Sequence, residues 1–482
     1  MRPANSWSTA PSVWPDVHIG CESAVIEPIG YDREALQISV VHLGLGAFSR
    51  AHLLTFLDDL ATAGSEDVGV LGTSMTSEAV PEALRSQEGR YTVVEVSAAG
   101  HRLRQVGVLV DVVGPSRRDQ VLSALAAPST TLVTTTVTEK AYGFDPVRRQ
   151  LDVQHPAVAH DLASPRSPVG VVGTLFAGLD ARRRAGAGPL TVACCDNVSG
   201  NGTMLAGLLE EFATHVDADT ARWIAGNVVF PDSMVDRIVP ATTDELREEV
   251  SAAGVVDAWP VIAEPFRQWV LEDRLGPGVP ALAEAGVQLS SDVAAWERMK
   301  LRVLNGLHSA SAYLGLRLGH STIDEVVGDR SAAVRIDALS EEIQAVLVPP
   351  AGTDARAYAA SVRDRFTNPA IGHRCQQIAM DGSVKLPQRI LPTIADALDA
   401  GSSVDTLSAT LAWWVAHLRR TPAAELQDPR AEELSALVRS TTDPFALGGA
   451  LMDLDGFAPV RLRDDAGWRR TLGEAIDREG KP

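Results

Sequence analysis

Ile38-Ser39-Val40-Val41-His42-Leu43-Gly44-Leu45-Gly46 leads into residues 47–61, where Phe48, Leu53, Leu54, Phe56, Leu57 and Leu60 recur at helical spacing. A short, β-branched apolar run predicts a strand buried on both faces. Gly44 and Gly46 permit a sharp reversal, and the recurrence after them predicts a helix. More short apolar runs follow at 68–71, 91–96, 131–136, 190–195 and 227–230. Helical patterns at 118–126 and 170–184 lie between several of them. Strands alternating with helices predict a doubly wound, largely parallel, Rossmann-type α/β domain, here assigned to residues 1–290.

Beyond residue 290 the pattern changes. Residues 296–315, 332–348, 355–366, 394–400, 404–419 and 430–439 read as helices divided by Gly and Pro. Residues 291–482 are therefore expected to form a mainly α-helical second domain. Residues 1–36 read as an irregular arm, and the first 30 carry no functional reading.

A chain of 482 residues exceeds one ordinary hydrophobic core, which agrees with two domains. Apolar residues at 45% and charged residues at 22% describe a globular protein. The net charge of −19 repels nucleic acid phosphates, so a nucleic acid partner is not expected. Cys21, Cys194, Cys195 and Cys375 form neither a disulfide framework nor a CxxC site, which fits a reduced cytoplasmic setting. Residues 1–15 do not read as a secretory signal, and no apolar run of about 18 residues occurs, so no membrane span is expected. The histidines are scattered without an HExxH pattern, and no metal site is predicted.

The turn Gly44-Leu-Gly46 suits a dinucleotide. Gly44 permits the turn, and Gly46 lets backbone approach a pyrophosphate at a helix N-terminus. Ser49 stands where a third glycine is usual, and Arg50 offers a charge for a phosphate. The same glycines also suit a plain strand-to-helix turn. The next strand ends Leu71-Gly72-Thr73-Ser74, with no acid for the ribose hydroxyls of NAD and no obvious arginine for a 2′-phosphate. NAD is the expected cofactor, with NADP not excluded.

Lys300-Leu-Arg-Val-Leu-Asn305-Gly-Leu-His308 carries chemistry-bearing side chains. At about 100° per residue, Lys300, Asn305 and His308 fall within an arc of about 140° on a helix. Oxidation of a secondary alcohol needs a base for the hydroxyl proton, donors for the growing alkoxide and a group to hold the substrate. A lysine of lowered pKa, an amide and a neutral imidazole supply these. The spacing equally suits a solvated lysine beside a core polar pair. Asn197, in Cys194-Cys195-Asp196-Asn197, is expected at the carboxyl end of a strand, where open α/β sheets bind ligands. Its surroundings also read as a turn. Asp236 and Arg237 read, in isolation, as a surface ion pair.

Taken together, these segments resemble the mannitol dehydrogenase and fructuronate reductase family, the polyol-specific long-chain dehydrogenases. The matching pieces are Tyr31-Asp-Arg33, His42 to His52, Thr138-Glu-Lys-Ala-Tyr142, Cys195-Asp-Asn197, Phe230 to Arg237, Glu264 to Asp273, Met299 to His308 and Met380 to Arg389. They run in family order over residues 30–390. Ala141 and Ser49 depart from the family pattern.

The resemblance implies a cleft between two domains that holds cofactor and substrate. It implies Lys300 as general base, Asn197 and Asn305 as the oxyanion-stabilising pair, and His308 as a substrate-orienting residue. Asp236 matches a family active-site acid. Gly44, Gly46, Phe48, Arg50 and Thr138 are the expected cofactor-binding positions. The implied activity is zinc-independent, NAD(P)-dependent interconversion of a secondary alcohol and a ketone, by a monomer or weak oligomer. The run from His373 to Arg389 is more similar to the fructuronate reductase branch, and Arg374, Lys385 or Arg389 would pair with a sugar-acid carboxylate. D-mannonate/D-fructuronate is therefore favoured over D-mannitol/D-fructose or arabinitol as the substrate class. A catalytically silent nucleotide sensor is the alternative of a different kind.

Overall fold

The computed structural model of the protein describes residues 25–97, 100–145 and 148–481. Its main sheet has six strands: β1 (Ile38–Leu43), β2 (Gly69–Thr73), β3 (Leu109–Val113), β4 (Leu132–Thr135), β5 (Leu190–Cys194) and β6 (Val228–Val229). They lie in the order β3-β2-β1-β4-β5-β6, and every neighbouring pair is parallel. This is the doubly wound Rossmann order, and the crevice where it reverses lies beyond the carboxyl ends of β1 and β4.

Side-chain alternation explains why both faces must be covered. Val40, Val70, Leu132 and Ala193 point into one apolar cluster, while Val41, Leu71, Val133 and Val192 point into another. Leu53, Leu54, Phe56, Leu57 and Leu60 cover the first face. Leu175, Phe176, Leu179, Leu205 and Phe212 cover the second. Each such buried side chain contributes about 1.5–3 kcal/mol.

Several expectations need correction. Residues 91–96 do not join the parallel sheet. Tyr91–Ser97 pairs antiparallel with Gly100–Val106 in a separate four-stranded sheet, flanked by Val25–Glu27 and Val261–Ala263. A partner close in sequence captured that strand. Its place in the main sheet goes to Leu109–Val113, which the apolar runs did not mark. The helix expected over 47–61 breaks at His52 (φ −116°, ψ −83°) into α1 (Ala47–Ala51) and α2 (Leu53–Thr62). The helix Asn201–Val216 begins where the sequence suggested only a turn. The supposed arm is structured where it is described. Tyr31 donates to Asp58, and Arg33 donates to the carbonyls of Gly107 and Leu109. Residues 1–24, with Cys21, lie outside the described residues.

The chain divides into two compact units. One comprises residues 25–300 together with Val348–Asp354, and the other Leu301–Leu347 with residues 355–481. The second unit is helical, built on Asp405–Arg420, which buries Leu407, Leu411, Trp413 and Trp414. That helix packs against Gly306–Leu318 and Ala466–Glu479. A single isolated β-bridge, Thr322 to Arg374, is its only strand-like pairing among the described residues. Among the described residues no helix is long and apolar enough to cross a membrane.

Candidate active site

Gly44 sits at φ +99°, and a Cβ there would lie 2.2 Å from the carbonyl oxygen of Thr136. Both facts demand glycine, because the β1 turn is pressed against the loop that follows β4. Gly46 differs: an added Cβ would meet nothing nearer than the Gly44 oxygen at 3.7 Å. That open face beside the start of α1, at the crevice of the sheet, fits the approach of a dinucleotide pyrophosphate. Ser49 replaces the third glycine and is fully buried; its Oγ accepts from the Gly46 amide (3.1 Å). Phe48 is half-buried and stacks on His52 with ring centroids 4.9 Å apart.

Arg50 requires a correction. Its side chain is fully buried, lies over the Tyr91 ring, and donates to the carbonyls of Gly46 and Trp259. Burial pushes its pKa down to about 10. It braces the turn from inside and does not present its charge to a phosphate.

Thr138 lies at the carboxyl end of β4, exposed, with the left-handed φ of +82°. For a β-branched residue this is a strained conformation. Asp196, beyond β5, holds it there. Asp196 Oδ1 accepts from the amides of Val137 (2.9 Å) and Thr138 (2.8 Å), and Oδ2 accepts from the Tyr142 hydroxyl (2.6 Å). Cys194 and Cys195 are buried free thiols, and burial raises both pKa values.

Asn197 follows Asp196 and is exposed. Lys300 Nζ donates to Asn197 Oδ1 (3.0 Å) and to the carbonyl oxygen of Val235 (2.6 Å). The lysine and one predicted amide are thus in direct contact. Glu297, one turn earlier on α3 (Val293–Met299), accepts from Ser199 Oγ (2.6 Å) and the Gly200 amide (3.2 Å). Burial raises its pKa, and the nearby Lys300 opposes the rise. Glu297 was not marked as functional, although its spacing of three from Lys300 was a usable signal.

Asp236 and Arg237 are not a surface pair. Both are buried, at 4% and 5% exposure. Arg237 donates to Glu95 Oε1 (2.6 Å) and to the Glu264 carbonyl (2.9 Å). Asp236 ends the strand Ser233–Asp236, near enough to His52 for its charge to favour the imidazolium. Burial is the larger influence on His52 and lowers its pKa to about 3.

The helix expected over 296–315 also departs from the expectation. Lys300–Asn305 is a π-helical turn between α3 and α4 (Gly306–Leu318). Its i→i+5 bonding turns less than about 100° per residue, so the 140° arc assumed for an α-helix does not apply. Single π-turns occur frequently at functional sites.

In the helical unit, His308 is surrounded by cations. Burial, the neighbouring His373 imidazole and the charges of Arg389, Arg365 and Lys385 hold it well below the usual imidazole range, so it is neutral. Its ring lies 4.9 Å from His373 and 5.0 Å from Phe366. His308 Nε2 is buried with no hydrogen-bond partner. Arg389 donates to Ser309 Oγ (3.0 Å) and weakly to the Asn305 carbonyl (3.5 Å), and burial pushes its pKa down to about 10. Lys385 donates to the Ile378 carbonyl (3.3 Å); burial and Arg389 lower its pKa. Among the described residues no carboxylate pairs with Arg389 or Lys385. Arg374 is exposed at the start of the short helix Cys375–Ile378. His373 opens the run that resembles the fructuronate reductase branch, but only the fold brings it to His308. Among the described residues no three His, Cys, Asp or Glu side chains gather as a metal site would require.

Comparison with known proteins adds a family. Residues 38–283 match the model of the mannitol dehydrogenase Rossmann domain, and residues 292–447 that of the mannitol dehydrogenase C-terminal domain. A mannitol 2-dehydrogenase of Phaeosphaeria nodorum is 36% identical over 93% of this chain and 80% of its own length. The D-mannonate oxidoreductase of Escherichia coli is 38% identical over 84% of this chain and 86% of its own. Among solved structures, the Pseudomonas fluorescens mannitol 2-dehydrogenase ternary complex with NAD and D-mannitol matches at 30% identity. Its TM-score is 0.81, with 94% of both chains covered.

Proposed function

The chain belongs to the mannitol dehydrogenase family, and from that premise we propose that it oxidises a secondary alcohol of a six-carbon sugar acid to the ketone, and the reverse, with NAD. Bound NAD+ supplies the hydride acceptor at the crevice of the sheet. The chain's own residues supply the rest. Lys300 removes the hydroxyl proton. The oxygens of Asn197 and Val235 accept from its Nζ and hold it at the carboxyl end of the sheet for that proton transfer. With Asn197 Oδ1 engaged by Lys300, the Nδ2 donor remains for the developing alkoxide, and Asn305 provides the second amide. His308, neutral and with Nε2 unsatisfied, holds a substrate hydroxyl.

The observation that carries the substrate class is the cationic group around His308. A half-buried guanidinium bonded only to neutral oxygens is costly, and an anionic ligand offsets that cost. This favours a hexonate such as D-mannonate over a neutral polyol. The polyol reading keeps the support of the relatives named mannitol 2-dehydrogenase. Absorbance of reduced nicotinamide over D-mannonate, D-mannitol and arabinitol separates the two. The expected kcat/KM is greatest for D-mannonate. Arg389→Met should lower that value about 10–100-fold, the scale of losing a charge-assisted hydrogen bond of about 1.5–3 kcal/mol. Greatest turnover of mannitol, with Arg389→Met unaffected, would establish the polyol reading instead. Buried free thiols at Cys194, Cys195 and Cys375 support a cytoplasmic setting, and we take the protein as a monomer or weak oligomer.

A further inference from the structure

Asp196 is a buried carboxylate with 9% exposure and no cationic partner among the described residues. Burying a charge is expensive unless hydrogen bonds replace the lost water. Here they come from one short stretch of chain. Val137 donates to both carboxylate oxygens (2.9 and 3.1 Å), Thr138 donates to Oδ1 (2.8 Å) and Tyr142 donates to Oδ2 (2.6 Å). Tyr142 is itself fixed by Thr135 Oγ1 at 2.6 Å. Every nitrogen and oxygen donor belongs to the loop beyond β4, the carboxylate belongs to the loop beyond β5, and a weak Cys194 Sγ contact to Oδ2 (3.9 Å) comes from β5 itself.

Two features give this clamp a purpose beyond stability. Thr138 is held at φ +82°, a conformation that costs a β-branched residue free energy and needs an outside restraint. That loop lies against the glycine turn, since a Cβ on Gly44 would strike the Thr136 oxygen. On its other side, Asp196 is followed directly by Asn197, whose amide accepts from Lys300. The peptide oxygen of Asp196 is also pinned, by Asn201 Nδ2 (3.0 Å).

We propose that Asp196 is a positioning residue: its carboxylate locks the loop at 136–138 in the strained shape that receives the coenzyme and sets the neighbouring amide against Lys300. An asparagine is a poor substitute, because its NH2 would face the Val137 N–H and force the Tyr142 hydroxyl from donor to acceptor. The inference rests on the NAD-dependent reading above. Binding of NAD+ to the unmodified protein, followed by calorimetry, comes first; its absence would defeat that reading and not this one.

Given binding, Asp196→Asn is expected to weaken NAD+ about tenfold and to lower kcat. The discriminating variant is Asp196→Asn with Thr138→Gly. Glycine accepts φ +82° without strain, so the double variant should recover at least about threefold of the lost affinity. A merely structural carboxylate would show no such rescue. A folded Asp196→Asn protein with unchanged NAD+ affinity and kcat overturns the proposal, as does a double variant no better than the single one. Should Asp196→Asn fail to fold, Tyr142→Phe decides. It removes one donor and keeps the charge; about threefold weaker NAD+ binding is expected, and unchanged binding overturns the proposal.

Discussion

Lys300 illustrates how a single side chain acquires a role from two oxygens. Alone on a helix it would be a solvated cation of ordinary behaviour. Its nitrogen donates to Asn197 Oδ1 and to the Val235 carbonyl, and those two oxygens hold it in place. Lys300→Ala should lower kcat by about 10²–10⁴-fold at neutral pH, the usual contribution of a general base. Stopped-flow hydride transfer with saturating substrate measures this, and full turnover by the variant would remove the lysine from the chemistry. Arg50 shows the opposite case. Its position suggested a phosphate ligand, yet the protein uses it as an internal brace. Nothing in sequence separates a lysine or arginine that faces a ligand from one that faces carbonyl groups.

Among the elements, the β1 turn is the most constrained. Gly44→Ala meets both a left-handed backbone and the Thr136 carbonyl. Backbone strain alone costs about 1–3 kcal/mol, and the contact adds to it. Urea unfolding should shift downward accordingly, with NAD+ affinity lost as the loop beyond β4 is displaced. A Gly44→Ala protein of unchanged stability would mean that the turn is not packed as described. The π-turn at Lys300–Asn305 is the second special element. The apolar pattern marked the helix that contains it and could not mark the turn, because periodicity over a whole helix averages out one added residue.

At the scale of the whole molecule, five histidines among the described residues are held in the neutral form, His42 and His52 fully buried and His308, His373 and His417 half-buried. Burial lowers His42, His373 and His417 to about 4 and His52 to about 3, and it holds His308 well below the usual range. The unfolded chain binds these protons near pH 6.5 and the folded chain does not. Stability is therefore fully present above about pH 6.5 and falls as the pH drops toward 4, by up to about 1.4 kcal/mol per unit for each such group. Urea midpoints at pH 7 and pH 5 test this; equal values would show that the imidazoles are solvated. By itself the sequence determined the strand–glycine–helix opening, the two-part organisation and the lysine–asparagine–histidine segment. Each of these is a local pattern of apolar period, glycine or short motif. Tertiary structure alone decided that residues 91–96 leave the main sheet, that Arg50 and Arg237 turn inward, that Asp196 clamps a distant loop and that His373, Lys385 and Arg389 gather around His308. Hydrogen bonds and charges join whatever the packed backbone brings together, and separation along the chain holds no record of that proximity.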